Sequence, residues 1–113
     1  MIRRFFVTMA LLAASATAPA FAQRCDTSFT FHNRSSQTVE RFYFDASSNP
    51  NWTRDELGSG VLPAGQSMRF RAAYSGLYDF RAVFVGGRAL ELRRQDICVI
   101  TDVTITDNGM TAR

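Results

Sequence analysis

Residues 77–93 read LYDFRAVFVGGRALELR, and this stretch decides the fold. Tyr78, Phe80, Ala82 and Phe84 recur at every second position, with Asp79, Arg81, Val83 and Val85 between them. A period of two is that of a pleated strand, whose successive side chains point to opposite faces; a helix would repeat its apolar positions every three or four residues. Gly86-Gly87 follows, a pair that reaches the positive φ angles of a tight hairpin without a Cβ clash. Leu90 and Leu92 then resume the alternation within Arg88–Arg93. Two antiparallel strands joined by a short turn are predicted.

The same period extends in both directions. Ser28–Asn33 places Phe29 and Phe31 on one face and Thr30 and His32 on the other. Thr38–Phe44 aligns Phe42 with Phe44 but leaves Val39 out of phase, which a bulge near Glu40-Arg41 would reconcile. Ser67–Ala72 directs Met68 and Phe70 inward and Arg69 and Arg71 outward. Ile97–Ile100 is apolar and contains Cys98; Val103–Thr106 alternates again. Polar turn clusters separate these runs at Asn33–Ser36, Asp45–Asn51, Pro63–Gln66, Ser75-Gly76 and Asp107–Gly109. Trp52–Leu57 is expected to form one helical turn, with Thr53 and Glu56 as a capping box. Met110–Arg113 is expected to fray. Short strands at this spacing indicate an all-β fold, a small antiparallel β-sandwich of six or seven strands, with a small barrel as the neighbouring alternative. Strand order does not follow from periodicity.

The first 22 residues differ in kind. Arg3-Arg4 precede the apolar run Phe5–Ala14, and Ala20-Phe21-Ala22 supplies a small-residue cleavage pattern. This is the layout of a cleavable signal peptide, and the apolar run is shorter than the roughly 20 residues that a spanning helix needs. Residues 1–22 are therefore read as signal peptide and residues 23–113 as a single β-sandwich domain, periplasmic or secreted, with no membrane span after cleavage. Arg3-Arg4-Phe5-Phe6 fits either a general or a twin-arginine export signal. The chain carries thirteen arginines, no lysine, ten acids and a formal charge of +3. Loss of Arg3 and Arg4 leaves +1, too little to call for nucleic acid. Cys25 and Cys98 are the two cysteines; an even count in an exported chain implies a disulfide between them.

Reactive sets are sparse. His32 is the only histidine, and no nucleophile elbow accompanies it, so it reads as a surface histidine. One histidine and two paired cysteines give no zinc site. Asp79, inside an apolar strand and beside Arg81, reads as an acid paired with an arginine; its functional alternative is a raised-pKa acid in a small hydrolase using Asp79 or His32. Asp45–Asn49 and Asp107–Gly109 carry oxygen ligands suited to a calcium-stabilised module, but turn formation accounts for both. Arg69, Arg71, Arg88, Arg93 and Arg94 form a candidate basic patch for an anionic glycan or lipid head group. Trp52, Tyr43, Tyr74 and Tyr78 form a candidate stacking surface for sugars, against a packing role for Trp52.

The order of motifs carries a resemblance. Phe29-x-Phe31-x-Asn33 is followed by Val39-x-x-Phe42-Tyr43-Phe44, Trp52, Leu57-Gly58 and Leu62-Pro63-Ala64-Gly65. Tyr78-Asp79-Phe80-Arg81, Gly86-Gly87 and the late Cys98 complete the series. This resembles a group of small uncharacterised exported β-proteins of proteobacteria, a hypothetical-protein family. The family often has a cysteine two residues before the Tyr-Asp pair; here Gly76 stands there and Cys25 is the second cysteine. The resemblance implies no activity and no catalytic residue. Composition and motifs together lead to the expectation of a non-enzymatic binding or interaction module of the cell envelope, without cofactor or metal. Its partner would be an envelope protein or glycan, met by a surface drawn from Trp52, Tyr43, Arg69 and Arg71.

Overall fold

The computed structural model describes residues 25–113, so the segment read as a signal peptide lies outside the described residues. Within them the alternation becomes seven strands: β1 Ser28–Asn33, β2 Val39–Ala46, β3 Ser67–Arg71, β4 Leu77–Phe84, β5 Ala89–Asp96, β6 Asp102–Ile105 and β7 Met110–Ala112. They form two sheets, ordered β3-β1-β6-β7 and β2-β4-β5. The fold is an all-β sandwich. All ladders are antiparallel except β1 with β6, which run parallel. A parallel pair needs a long crossover, and here the chain passes through the other sheet between β1 and β6.

Phenylalanine fills the space between the sheets. Phe31 of β1 stacks on Phe42 of β2 at 3.8 Å and 6°. Phe29 meets Phe44 at 5.0 Å and Phe80 at 5.5 Å, both edge to face. Edge-to-face and offset pairs suit the ring quadrupoles and add to the burial energy. Val103 and Ile105 close the layer from β6. Met68 faces the core side as expected but remains 39% exposed, because β3 is the end strand of its sheet.

Two bulges adjust the pleat. The register shifts between Val39 and Arg41, and this brings Val39 into the core beside Phe42. A second shift lies in the β4–β5 ladder: Phe80 pairs with Leu92 but Tyr78 pairs with Gln95, so Arg93 and Arg94 together oppose Asp79. Arg94 has φ +58°, a left-handed conformation that costs a side-chain-bearing residue energy.

Two local expectations are corrected. Trp52–Leu57 forms no helical turn. The Thr53 hydroxyl and N–H donate to Asp45 rather than capping a helix. The Asp55 carboxylate accepts the N–H of Phe42 at 3.0 Å, and Glu56 N–H donates to the Phe42 carbonyl at 2.7 Å. Tertiary bonds to β2 outweigh the one-turn helix, and the segment instead covers the outer edge of β2. Within the apolar run 97–100, residues 97–99 form a turn. The C-terminal residues do not fray: Met110 is buried, and Arg113 and Asp102 exchange backbone bonds of 2.9 and 3.0 Å. Cys25 and Cys98 are bonded, with Cα atoms 5.5 Å apart, which ties the residues before β1 to the turn between β5 and β6.

Candidate functional site

Because Phe29, Phe31, Val103 and Ile105 point inward, the alternate residues of β1 and β6 stand on the outer face of the four-stranded sheet. His32 pairs in register with Ser67 of β3 and with Thr104 of β6. Its Nδ1 lies 2.7 Å from the Ser67 hydroxyl and its Nε2 lies 2.7 Å from Asp102 Oδ1. The Thr101 hydroxyl donates to the second Asp102 oxygen at 2.8 Å. The bond from His32, followed by that from Thr101, holds the Asp102 carboxyl below its usual range. His32 is thus on the outer face as read from the sequence, but clamped on both ring nitrogens. A concavity of about 410 Å³ opens on the Asp102 side, bordered by His32, Arg34, Asp102, Thr104, Thr111 and Arg113.

Arginine distinguishes this face. Arg69 and Arg71 project from β3, and Arg34 and Arg113 border the concavity. None of the four forms an ion pair among the described residues. Asp26 is held below its usual range mainly by the N–H of Ser28, with Arg71 and Arg69 adding a smaller pull.

On the outer face of the three-stranded sheet most arginines meet acids of the same face, Arg41 excepted. Arg81 pairs with Glu91 at 2.6 Å, and Arg93 bridges Glu91 and Asp79, the latter at 2.9 Å. Asp79 and Asp45 sit directly opposite each other, an arrangement that would repel if either lacked partners. Asp45 takes the Thr53 N–H and hydroxyl. Asp79 is 5% exposed and accepts from Ser47 Oγ at 2.7 Å, Arg94 N–H at 2.8 Å and Arg93. Burial alone would raise its pKa, but these donors prevail and hold it below the usual range. Trp52 packs on Tyr43 with ring centres 6.1 Å apart, and the Arg93 guanidinium lies 5.3 Å over the Trp52 ring.

The sequence-derived candidates therefore separate. Tyr43, with loop residue Trp52 packed on it, belongs to the three-stranded sheet and Arg69 and Arg71 to the four-stranded one, so they share no surface. The five-arginine patch divides the same way: Arg93 and Arg94 build the Asp79 bulge, and Arg88 donates to the Asp107 carbonyl at 2.5 Å. Tyr74 is 78% exposed, whereas Tyr78 is buried with its hydroxyl on the Tyr74 carbonyl. Asp107 staples two turns by accepting the Ser36 N–H and hydroxyl. Among the described residues no three His, Cys, Asp or Glu side chains gather as a metal site. Ser67, Asp102, Arg34 and Arg113 escaped the sequence reading, because only the registers of β1 with β3 and β6 bring them to His32. Comparison with protein-family models, with curated proteins and with solved structures gives no match for this chain.

Proposed function

We propose that this chain is an exported, non-enzymatic interaction module of the cell envelope, periplasmic or secreted. It takes an anionic envelope component on the outer face of its four-stranded sheet. The carrying observation is the division of charge. One face pairs Arg81 and Arg93 with Glu91 and Asp79 and leaves Arg41 as its one strand arginine outside an ion pair or the Asp79 bulge, while the other presents Arg34, Arg69, Arg71 and Arg113 without ion pairs among the described residues. Thr104 and Thr111 add hydroxyl donors beside the concavity. Export is supported by the signal-like first 22 residues and by the Cys25–Cys98 bond, which an oxidising compartment maintains.

The test is binding of polygalacturonate and of anionic phospholipid vesicles at low ionic strength. Arg69→Glu/Arg71→Glu should abolish retention, and salt should weaken it as exposed charges are screened. Arg41→Glu, on the other sheet, changes charge in the same direction and should cost far less. Equal losses from the two faces, or no binding to either probe, would refute the reading.

A second reading is favoured by one observation: Ser67, His32 and Asp102 stand in the order nucleophile, base and orienting acid. Their concavity does not include Ser67, and Ser67 begins an exposed edge strand, so no wall is built for an acyl group. Labelling of Ser67 by a fluorophosphonate, lost in His32→Gln, would establish the hydrolase reading; an unlabelled Ser67 ends it.

A further inference from the structure

We infer that the free edge of β3 accepts an added strand from a protein partner whose side chains alternate acidic and apolar. This rests on the reading of the arginine-bearing face as the interaction surface, and it names the partner.

The first observation is the backbone. β3 is bonded on one side only, to β1. Asn33 N–H donates to the Gln66 carbonyl and Ala72 N–H to the Thr27 carbonyl. The antiparallel alternation then places the bonded pairs at Phe31/Met68 and Phe29/Phe70, so the N–H and C=O groups of Ser67, Arg69 and Arg71 point away from β1. Among the described residues no backbone group pairs with them. The outer edge of β2, by contrast, is closed by Asp55, Glu56 and Leu62.

The second observation is the pair of side-chain rows along that edge. Toward the core side, Met68 is 39% exposed, and Phe70, which packs beside the phenylalanine layer, is only partly covered. Toward the outside stand Arg69 and Arg71. An added strand with apolar residues on one side would complete the cover of Met68 and Phe70. Acidic residues on its other side would meet the two guanidinium groups. Beside the end of β3 lies an open groove of about 270 Å³, lined by Arg71, Ala73, Tyr74 and Arg54 together with the acids Asp45 and Glu56. Strand addition draws affinity from main-chain bonds and specificity from alternate side chains.

The same rows disfavour a second copy of this chain. Antiparallel self-pairing centred on Arg69 sets that arginine directly opposite itself, and outward charge is how edge strands avoid self-association.

The experiment uses the oxidised protein and a nine-residue peptide alternating Glu and Val, with a Lys–Val peptide as control. Expected are binding of the acidic peptide alone and slowed hydrogen exchange at the Ser67, Arg69 and Arg71 amides. Arg69→Ala removes a charge; Arg69→Pro removes that charge and the outward N–H while sparing the bonds to β1. The proline variant should bind at least about tenfold more weakly than the alanine variant. Should it fail to fold, amide protection in the unsubstituted protein decides. Peptide binding without amide protection, with equal losses in the two variants, overturns strand addition while leaving the anionic face intact. Strand addition is likewise overturned if polygalacturonate binds but the peptide does not at about 1 mM, the weak end of specific recognition. A dimer of the chain itself with protected β3 amides would overturn the choice of partner.

Discussion

Replacing Asp79 tests the internal logic of the three-stranded sheet. The carboxylate is nearly inaccessible and accepts from the Ser47 hydroxyl, the Arg94 N–H and the Arg93 guanidinium. Hydrogen bonds to a charged group contribute about 1.5–3 kcal/mol each and do not add fully, because one group makes all three. The Arg93 side chain is 56% exposed, so screening leaves it a small share. Asp79→Ala also strands the Arg94 N–H at a bulge already held at positive φ. The expected loss is about 3 kcal/mol, a large fraction of the stability of a small domain. Asp79→Asn keeps the shape and one acceptor but turns an amide donor toward Arg93 or Ser47; about 1–2 kcal/mol should be lost. Urea unfolding with the disulfide intact reads both as a lower midpoint at constant slope. The pH dependence has a definite sign. Asp79 titrates below its unfolded value when folded, so its contribution is complete above about pH 4 and disappears as pH falls through the folded pKa. The gap between the unsubstituted protein and Asp79→Asn should therefore be flat near neutrality and shrink in acid. An Asp79→Ala midpoint within about 0.5 kcal/mol of the parent, or a gap unchanged in strong acid, would refute the clamp.

Two further outcomes follow from the backbone. Arg94→Gly relieves the left-handed strain and should leave stability unchanged or raise it by up to about 1 kcal/mol in the same urea assay; a loss above about 1 kcal/mol would show that the Arg94 side chain matters more than its φ. Intact mass under non-reducing conditions should be two hydrogens below the dithiol mass, and reduction should cost about 4 kcal/mol, because the bond spans 73 positions of chain. An unchanged urea midpoint after verified reduction would contradict that second expectation.

Local patterning made much of the sandwich legible. Phe80, Ala82 and Phe84 alternate without interruption, and they lie in the core. The phase break at Val39 announced a bulge, because a pleated strand cannot otherwise place Val39 and Phe42 on one side. The bulge at Arg93-Arg94 had no such signal: both residues are polar and exposed, so an extra residue there leaves no scar in the hydrophobic pattern. Thr53 and Glu56 illustrate a local rule overridden. Their spacing suits a helix cap, yet Asp45 and the Phe42 carbonyl compete for the same donors and are better placed.

What the amino-acid order alone determined was therefore most of the strand content, though not β7, together with the inward faces and the pairing of the two cysteines. These depend on neighbours within a few residues, or on counting. Only the tertiary structure decided that β1 runs parallel to β6, that Asp102 and Ser67 reach His32, and that Tyr43 and Trp52 lie on the sheet opposite Arg69 and Arg71. Contacts of that kind join positions tens of residues apart, and alternation along a strand carries no information about which strand lies beside it. The buried Asn33 shows the same division: its amide donates to the carbonyls of Gln37 and Leu62, the second of which the chain brings near only when β2 has docked.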